Sequence, residues 1–196
     1  MNPTPEKTSV MAPFILMLFL YFIVGLFTVI NQQFQVPLKS ALLPHDGNMT
    51  NALVTLLNFS WFLAYPFSEG FATRWVDRLG YRKTSVYSLL IFIAGLGFYE
   101  AAVLLHIYAP SYITIMGNPI FTGFFIFLSG SFVIGMAVTI LQVVTGLYLD
   151  VNPVGKTTPL QRQMIGGTTN SIGMAIGPLV VSYIIFYGIP LHNVQS

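Results

Sequence analysis

Amide side chains interrupt the long apolar stretches of this sequence. The densest group lies in Asn31-Gln32-Gln33-Phe34-Gln35, at the end of the first stretch, and Gln142 lies deep within the fourth. Each amide offers both a hydrogen-bond donor and an acceptor, which suits the hydroxyl groups of a neutral polyol. Polar groups in apolar surroundings are costly unless they pair or line a wet cavity. We therefore predict a substrate path formed by Asn31, Gln32, Gln33, Gln35, Asn58, Trp61, Gln142 and Asn170.

The same side chains have a structural alternative. Asn and Gln also form hydrogen bonds between packed helices in membranes. Trp61 could instead be an interfacial or lipid-facing aromatic residue. Asn31 and Gln35 are four residues apart and share one helical face, whereas Gln32 lies on another face. For each residue taken alone the alternative stays open, while the set as a whole favours a substrate path.

Two carboxylates also lie within apolar stretches, at Glu69 and Glu100. A charged side chain at the centre of a bilayer costs about 2.5 to 3.5 kcal/mol on insertion scales, so neither residue is expected to be idle. We predict that both are candidates for ion coupling, and that Glu100 is a protonatable group that reaches the substrate path. The alternatives are an ion pair of Glu69 with Arg74 and an outward-reaching position of Glu100 at the membrane surface.

The sequence shows no pattern typical of an enzyme active site, and we predict that the protein is not an enzyme. The sequence contains no cysteine, and His45, His106 and His192 have no ligand-like neighbour at helical spacing, so we predict no metal site. Gly155-Lys156-Thr157 lacks the earlier glycine of a phosphate-binding loop. We find no catalytic residues and predict no cofactor and no nucleic-acid partner.

Composition defines the elements that must position these groups. Hydrophobic residues make up 55% of the 196 residues and charged residues only 7%, whereas soluble domains carry about 25% charged residues. The mean hydropathy is +0.74. A membrane helix needs about 20 mainly apolar residues. The sequence predicts an all-α, multi-pass protein of the cell membrane with five spans, at about 14–36, 52–73, 84–106, 120–149 and 164–188.

Two further patterns describe how these spans are arranged. Lys and Arg are retained on the cytoplasmic side of membranes, and a cytoplasmic N-terminus places seven of the eight basic residues there, with only Lys39 outside. Five spans then leave the C-terminal tail outside. Gly173 and Gly177 are four residues apart in the fifth span, a spacing that favours close approach of a neighbouring helix.

The densest charged segment is Arg74-Trp75-Val76-Asp77-Arg78-Leu79-Gly80-Tyr81-Arg82-Lys83, between the second and third predicted spans. It resembles the signature loop of the major facilitator superfamily, although Tyr81 is inserted before the basic pair and Thr73 stands where the first glycine belongs. The resemblance implies a cytoplasmic gating role for Asp77, Arg78, Gly80, Arg82 and Lys83. The alternative is a loop that is merely basic because it faces the cytoplasm.

Other segments resemble the fucose and hexose permease branch of that superfamily. They are Asn31 to Lys39, Leu141-Gln142-Val143 with Tyr148, and Arg162 with Asn170-Ser171-Ile172-Gly173. The resemblance implies that the five spans form most of an N-terminal six-helix bundle in a longer sugar transporter. Membrane carboxylates of the branch are replaced here by Gln33 and Gln142, which puts proton coupling through those positions in doubt.

The predicted function follows from that resemblance. It is secondary active transport of a hexose or a fucose-like deoxyhexose by alternating access, coupled to an ion, with a C-terminal half as partner within the lipid bilayer. The alternative is a membrane subunit or regulator that does not transport and is complete at five spans.

Overall fold

The computed structural model describes residues 10–33, 48–115 and 118–185, and nearly all of them are helical. The elements, in chain order, are α1 (Met11–Gln33), α2 (Asn48–Tyr108), β1 (Tyr112–Ile115), β2 (Asn118–Phe121), α3 (Thr122–Val151) and α4 (Pro159–Val180), followed by a π-helical segment at Val181–Ile185. All four helices of the described chain are long and apolar enough to cross a membrane. The predicted all-α class is confirmed, and the length and apolar composition of the helices agree with the predicted membrane spans.

The described residues form four long helices and not the five that were predicted, because the second and third predicted spans both fall within α2. The charged segment between them is helical on both sides of Gly80 instead of forming a loop. Gly80 alone has a non-helical backbone, at φ 78° and ψ 166°. This left-handed φ strains residues that carry a Cβ atom, so glycine is the residue expected at the kink.

The kink divides α2 into two arms of membrane-spanning length, 48–79 and 81–108. A straight helix of 61 residues would be about 90 Å long, three times the thickness of the hydrocarbon core. Both arms instead pack against the same part of α3. A Cβ atom at Gly135 would meet the backbone of Trp61 on the first arm, and one at Gly95 on the second arm would meet Ile134.

Helix α3 is the most buried helix and supplies the centre of the core. Its residues Ile134, Val138 and Leu141 pack with residues of α1 and with Trp61 of α2. Between helices in lipid, van der Waals contact between such side chains, and not their removal from water, is a main favourable term in packing. The core fixes α1 and both arms of α2 around α3.

Helices α1 and α4 approach each other closely at glycines. A Cβ atom at Gly173 would meet the backbone carbonyl oxygen of Phe22, and one at Gly177 would lie 3.1 Å from side-chain atoms of Val29. The close approach predicted from the spacing of these two glycines is confirmed.

The segment before α3 forms a short antiparallel hairpin that the sequence prediction missed. Tyr112 pairs with Phe121, and Ile115 pairs with Asn118. The segment between the third and fourth predicted spans therefore contains strand β1, and the predicted start of the fourth span at residue 120 belongs to β2. The β-branched run Ile113-Thr114-Ile115 favours this conformation.

Candidate functional site

Among the open cavities that the described residues line, two differ clearly in their linings. The first, which we call the polar cavity, has a volume of about 310 Å³ and is lined by Tyr21, Tyr65, Glu69, Thr139, Gln142, Val143, Gly146, Leu147, Asp150 and Gln163. The second, the aromatic cavity, has a volume of about 620 Å³ and is lined by Phe27, Ile30, Asn31, Trp61, Phe92, Leu96, Tyr99, Glu100, Val103, Phe127 and Ile134.

Helical spacing brings the side chains of the polar cavity together. Tyr65 and Glu69 are four residues apart on the first arm of α2, so they lie one turn apart on one face. On α3, Gln142, Gly146 and Asp150 repeat at intervals of four residues and form a second face. Helix α1 adds Tyr21 and α4 adds Gln163, so all four helices contribute to this cavity.

Gln163 ties α4 to α3 inside the polar cavity. Its Nε2 donates to the backbone oxygen of Gly146 at 2.8 Å and to Oδ1 of Asp150 at 2.9 Å. An amide nitrogen has two hydrogens, so both are used within the protein. The oxygen of the same amide remains as an acceptor at the cavity.

The neighbouring residue, Arg162, is buried with 3% of its surface exposed, yet it bonds no carboxylate. Its guanidinium donates to the backbone oxygens of Leu149, Asp150 and Thr157. Two of these carbonyls belong to the last turn of α3, where helical carbonyls lack partners within the helix. Arg162 therefore terminates α3 and holds the start of α4 against it.

The start of α4 is fixed by a reciprocal cap. Oγ1 of Thr158 accepts from the backbone nitrogen of Gln161 at 3.3 Å, and Oε1 of Gln161 accepts from the backbone nitrogen of Thr158 at 2.9 Å. This capping box, with Pro159 at the first helical position, defines where α4 begins. The cap and Arg162 together fix the register that brings Gln163 to Asp150.

In the aromatic cavity, Tyr99 joins α1 to α3 through its hydroxyl group. It donates to Oδ1 of Asn31 at 3.2 Å and lies 2.9 Å from Oγ of Ser131, which therefore acts as the donor to Tyr99. The Tyr99 ring stacks on Phe127 with 3.8 Å between ring centroids. Asn31 is thus oriented by a hydrogen bond between helices, with its amide nitrogen left as a donor at the cavity.

The residues of the predicted substrate path do not line one common cavity in the structure. Asn31, Trp61 and Glu100 line the aromatic cavity, whereas Glu69 and Gln142 line the polar cavity. Glu69 forms no ion pair with Arg74 within the described part of the chain. The lining of the polar cavity contains two carboxylates, Glu69 and Asp150, and both side chains are exposed.

The other predicted substrate residues line neither cavity. Asn170 donates from Nδ2 to the backbone oxygen of Tyr21 at 3.0 Å, a bond between α4 and α1 of the kind that the structural alternative expects. Gln32 and Gln33 are exposed at the end of α1, and Asn58 is half-buried on α2. Gln35 lies outside the described residues.

The segment with the predicted gating role surrounds the kink of α2. Asp77 and Arg78 are exposed at the end of the first arm, and Arg82 and Lys83 are exposed at the start of the second. Gly80 lies between them with its left-handed backbone. The segment therefore connects the two arms as a sharp, charged corner.

Sequence reasoning missed several residues of these cavities. Asp150 and Gln163 flank the connection between α3 and α4 and had been assigned to no site, although their hydrogen bond makes them one unit. The intervals of four residues from Gln142 to Asp150 could have identified Asp150. Within the described residues, no three His, Cys, Asp or Glu side chains are grouped as a metal site.

No family model matches this chain, and no curated protein and no solved structure matches it either. The resemblance to the major facilitator superfamily therefore rests on the sequence motifs alone.

Proposed function

We propose that this chain belongs to the N-terminal bundle of a secondary transporter that moves a hexose or deoxyhexose across the cytoplasmic membrane by alternating access. The polar cavity is the surface that contacts the sugar. In transporters of this architecture the substrate lies near the bilayer midplane, between two halves that rock around it. The partner that this proposal requires is a C-terminal bundle that forms the second half of the transporter.

One observation carries the proposal, namely the polar lining of a cavity to which four apolar helices contribute. Its volume of about 310 Å³ lies at the lower end of the range of about 300 to 1,000 Å³ for small-molecule sites. Gln142, Gln163, Tyr21 and Tyr65 supply amide and hydroxyl groups that suit sugar hydroxyls. Polar groups are retained within membrane helices mainly where they serve a substrate or ion pathway.

The carboxylates extend the proposal to ion coupling. Glu69 lies in the polar cavity itself, and Glu100 lies in the aromatic cavity beside Tyr99. We propose that a proton or sodium gradient drives uptake through at least one of them. The aligned amides Gln33 and Gln142 cannot be protonated and do not serve this purpose.

The test is uptake of labelled glucose, galactose and fucose by cells that express the full reading frame containing this chain, with and without a proton or sodium gradient. Gln142→Ala should raise KM about tenfold, because it leaves a bound hydroxyl without its partner. Thr55→Ala is the matched control. Thr55 is exposed on α2, and its hydroxyl bonds only Asn51 of its own helix, so this variant should leave KM unchanged.

Absence of uptake of every sugar, with the protein present in the membrane, would contradict transport. It would favour the alternative of a membrane subunit or regulator that does not transport. Uptake with equal KM in Gln142→Ala would retain transport and remove the polar cavity as the sugar-contacting surface.

A further inference from the structure

We propose that the charged corner of α2, segment 74–83 around Gly80, binds an anionic phospholipid. The phosphate of the headgroup contacts the basic side chains, and an acyl chain lies along the second arm. This inference does not depend on what the polar cavity binds. Three features of the corner carry it: an uncompensated positive charge, a fixed position at one face of the membrane, and an apolar stripe that begins at Arg82.

The first feature is the charge of the corner. Segment 74–83 contains four basic residues and one acidic residue, so its net charge is +3; they are Arg74, Arg78, Arg82, Lys83 and Asp77. All five side chains are exposed. None of them forms an ion pair or a side-chain hydrogen bond within the described part of the chain. The positive charge is therefore not neutralised there, and phosphate is an anion that arginine binds well.

The second feature is the position of the corner. Both arms of α2 are of membrane-spanning length and return to the same part of α3, so the corner lies at one face of the bilayer. Trp75 of the first arm contacts Tyr87 of the second, with 6.2 Å between ring centroids, and Tyr81 contacts Tyr148 of α3 at 5.3 Å. Trp and Tyr are enriched where a membrane meets water. These contacts hold the corner at the depth of the lipid headgroups.

The third feature is an apolar stripe on the second arm. Val86, Leu89 and Ile93 follow Arg82 after four, seven and eleven residues, which places all four side chains on one helical face. The three apolar side chains are exposed, and Ile93 has 63% of its surface exposed. The stripe runs from the corner into the span, where a soluble anion does not reach. A phospholipid has one part for Arg82 and another for the stripe.

The charge of the headgroup decides which phospholipid is preferred. Phosphatidylcholine carries its phosphate next to a choline cation, which the basic side chains repel. Phosphatidylglycerol carries the phosphate without a cation. One basic side chain near an anionic membrane surface strengthens binding by about fivefold. We therefore expect the corner to prefer phosphatidylglycerol over phosphatidylcholine by at least about fivefold, even though Asp77 offsets part of the charge.

The experiment measures the tryptophan fluorescence of the whole chain in phosphatidylcholine nanodiscs. An increasing fraction of the lipid carries bromine on its acyl chains, as either phosphatidylglycerol or phosphatidylcholine, and bromine quenches tryptophan only at short range. Trp75 at the corner is half-buried and reports contact with lipid, whereas Trp61, the other tryptophan, is buried. The quenching curves give the ratio of the two association constants. Arg82→Gln should lower this ratio about fivefold.

Lys156→Gln is the matched control. Lys156 is an exposed basic residue in the connection between α3 and α4. The chain crosses twice between the corner and that connection, through the second arm and α3, so both lie at the same membrane face. The control should leave the ratio unchanged, and circular dichroism verifies that both variants keep their helical content.

Three results would overturn the inference. The first is a ratio near one in the unsubstituted chain. The second is an equal fall of the ratio in Arg82→Gln and Lys156→Gln, which would indicate a general attraction of anionic lipid to the basic face. The third is recovery of the fluorescence when inorganic phosphate is added at constant ionic strength, which would indicate a site for a free anion.

Discussion

Replacement of Arg162 by methionine should be among the most destabilising single changes in the described chain. The guanidinium donates to three backbone oxygens, at 2.7 Å to Thr157 and 2.8 Å to Asp150, with the third bond to Leu149. Hydrogen bonds from a charged donor contribute about 1.5 to 3 kcal/mol each. Methionine carries no charge, so the variant no longer pays the free-energy cost of burying one, and this offsets part of the sum. We therefore expect the free energy of unfolding to fall by about 2 to 4 kcal/mol.

The assay is equilibrium unfolding in mixed micelles with increasing dodecyl sulfate, followed by circular dichroism. Arg162→Lys should be intermediate, since it keeps the charge but not the planar fork that reaches three oxygens. Arg78→Met is the control, because Arg78 is exposed, and it should change stability by less than about 0.5 kcal/mol. An Arg162→Met variant as stable as Arg78→Met would refute the argument that this side chain terminates α3.

Two further predictions concern packing between helices. Gly173→Ala should cost about 1 to 3 kcal/mol, because its Cβ would meet the backbone of Phe22, whereas Gly167→Ala, where a Cβ meets nothing within 4 Å, should be neutral or stabilising. Equal unfolding midpoints for the two variants would contradict the close packing of α1 and α4. Tyr99→Phe keeps the stacked ring but removes the hydroxyl that joins α1 to α3, and should cost about 1 to 2 kcal/mol. Tyr87→Phe, at an exposed position, should cost nothing measurable in the same unfolding assay.

The helical class and the positions of the apolar segments could be predicted from the sequence, because span length and composition are local properties. The helix count could not. The charges of the segment around Gly80 suggest a loop. Its Arg, Leu and Tyr residues are nevertheless compatible with a helix, so the helical structure of α2 resumes directly after the kink. The hairpin before α3 was missed because four-residue strands carry little periodic signal and depend on pairing with each other.

The chemistry of the cavities could be predicted only in kind. Amides and carboxylates within apolar helices indicate cavities that contain polar groups. The structure places Gln142 and Glu69 in the polar cavity, and Asn31 and Glu100 in the aromatic cavity. Their division into two cavities depends on how each helix is rotated about its axis, which tertiary packing decides. Asn170 shows why tertiary packing is needed. Its side chain bonds the backbone of α1, and this bond forms only because α4 approaches α1 closely.

The connection between α3 and α4 links the stability of the fold to the geometry of the polar cavity. Among the described residues, Arg162 is the one buried Lys or Arg, and it stabilises the end of α3 through backbone carbonyls. The adjacent Gln163 is thereby held where its amide hydrogens bond Gly146 and Asp150. Because the guanidinium of Arg162 is engaged with backbone carbonyls at the end of α3, the carboxylate of Asp150 has the amide of Gln163 as its hydrogen-bond partner. The lining of the polar cavity at this point therefore follows from how the chain terminates α3.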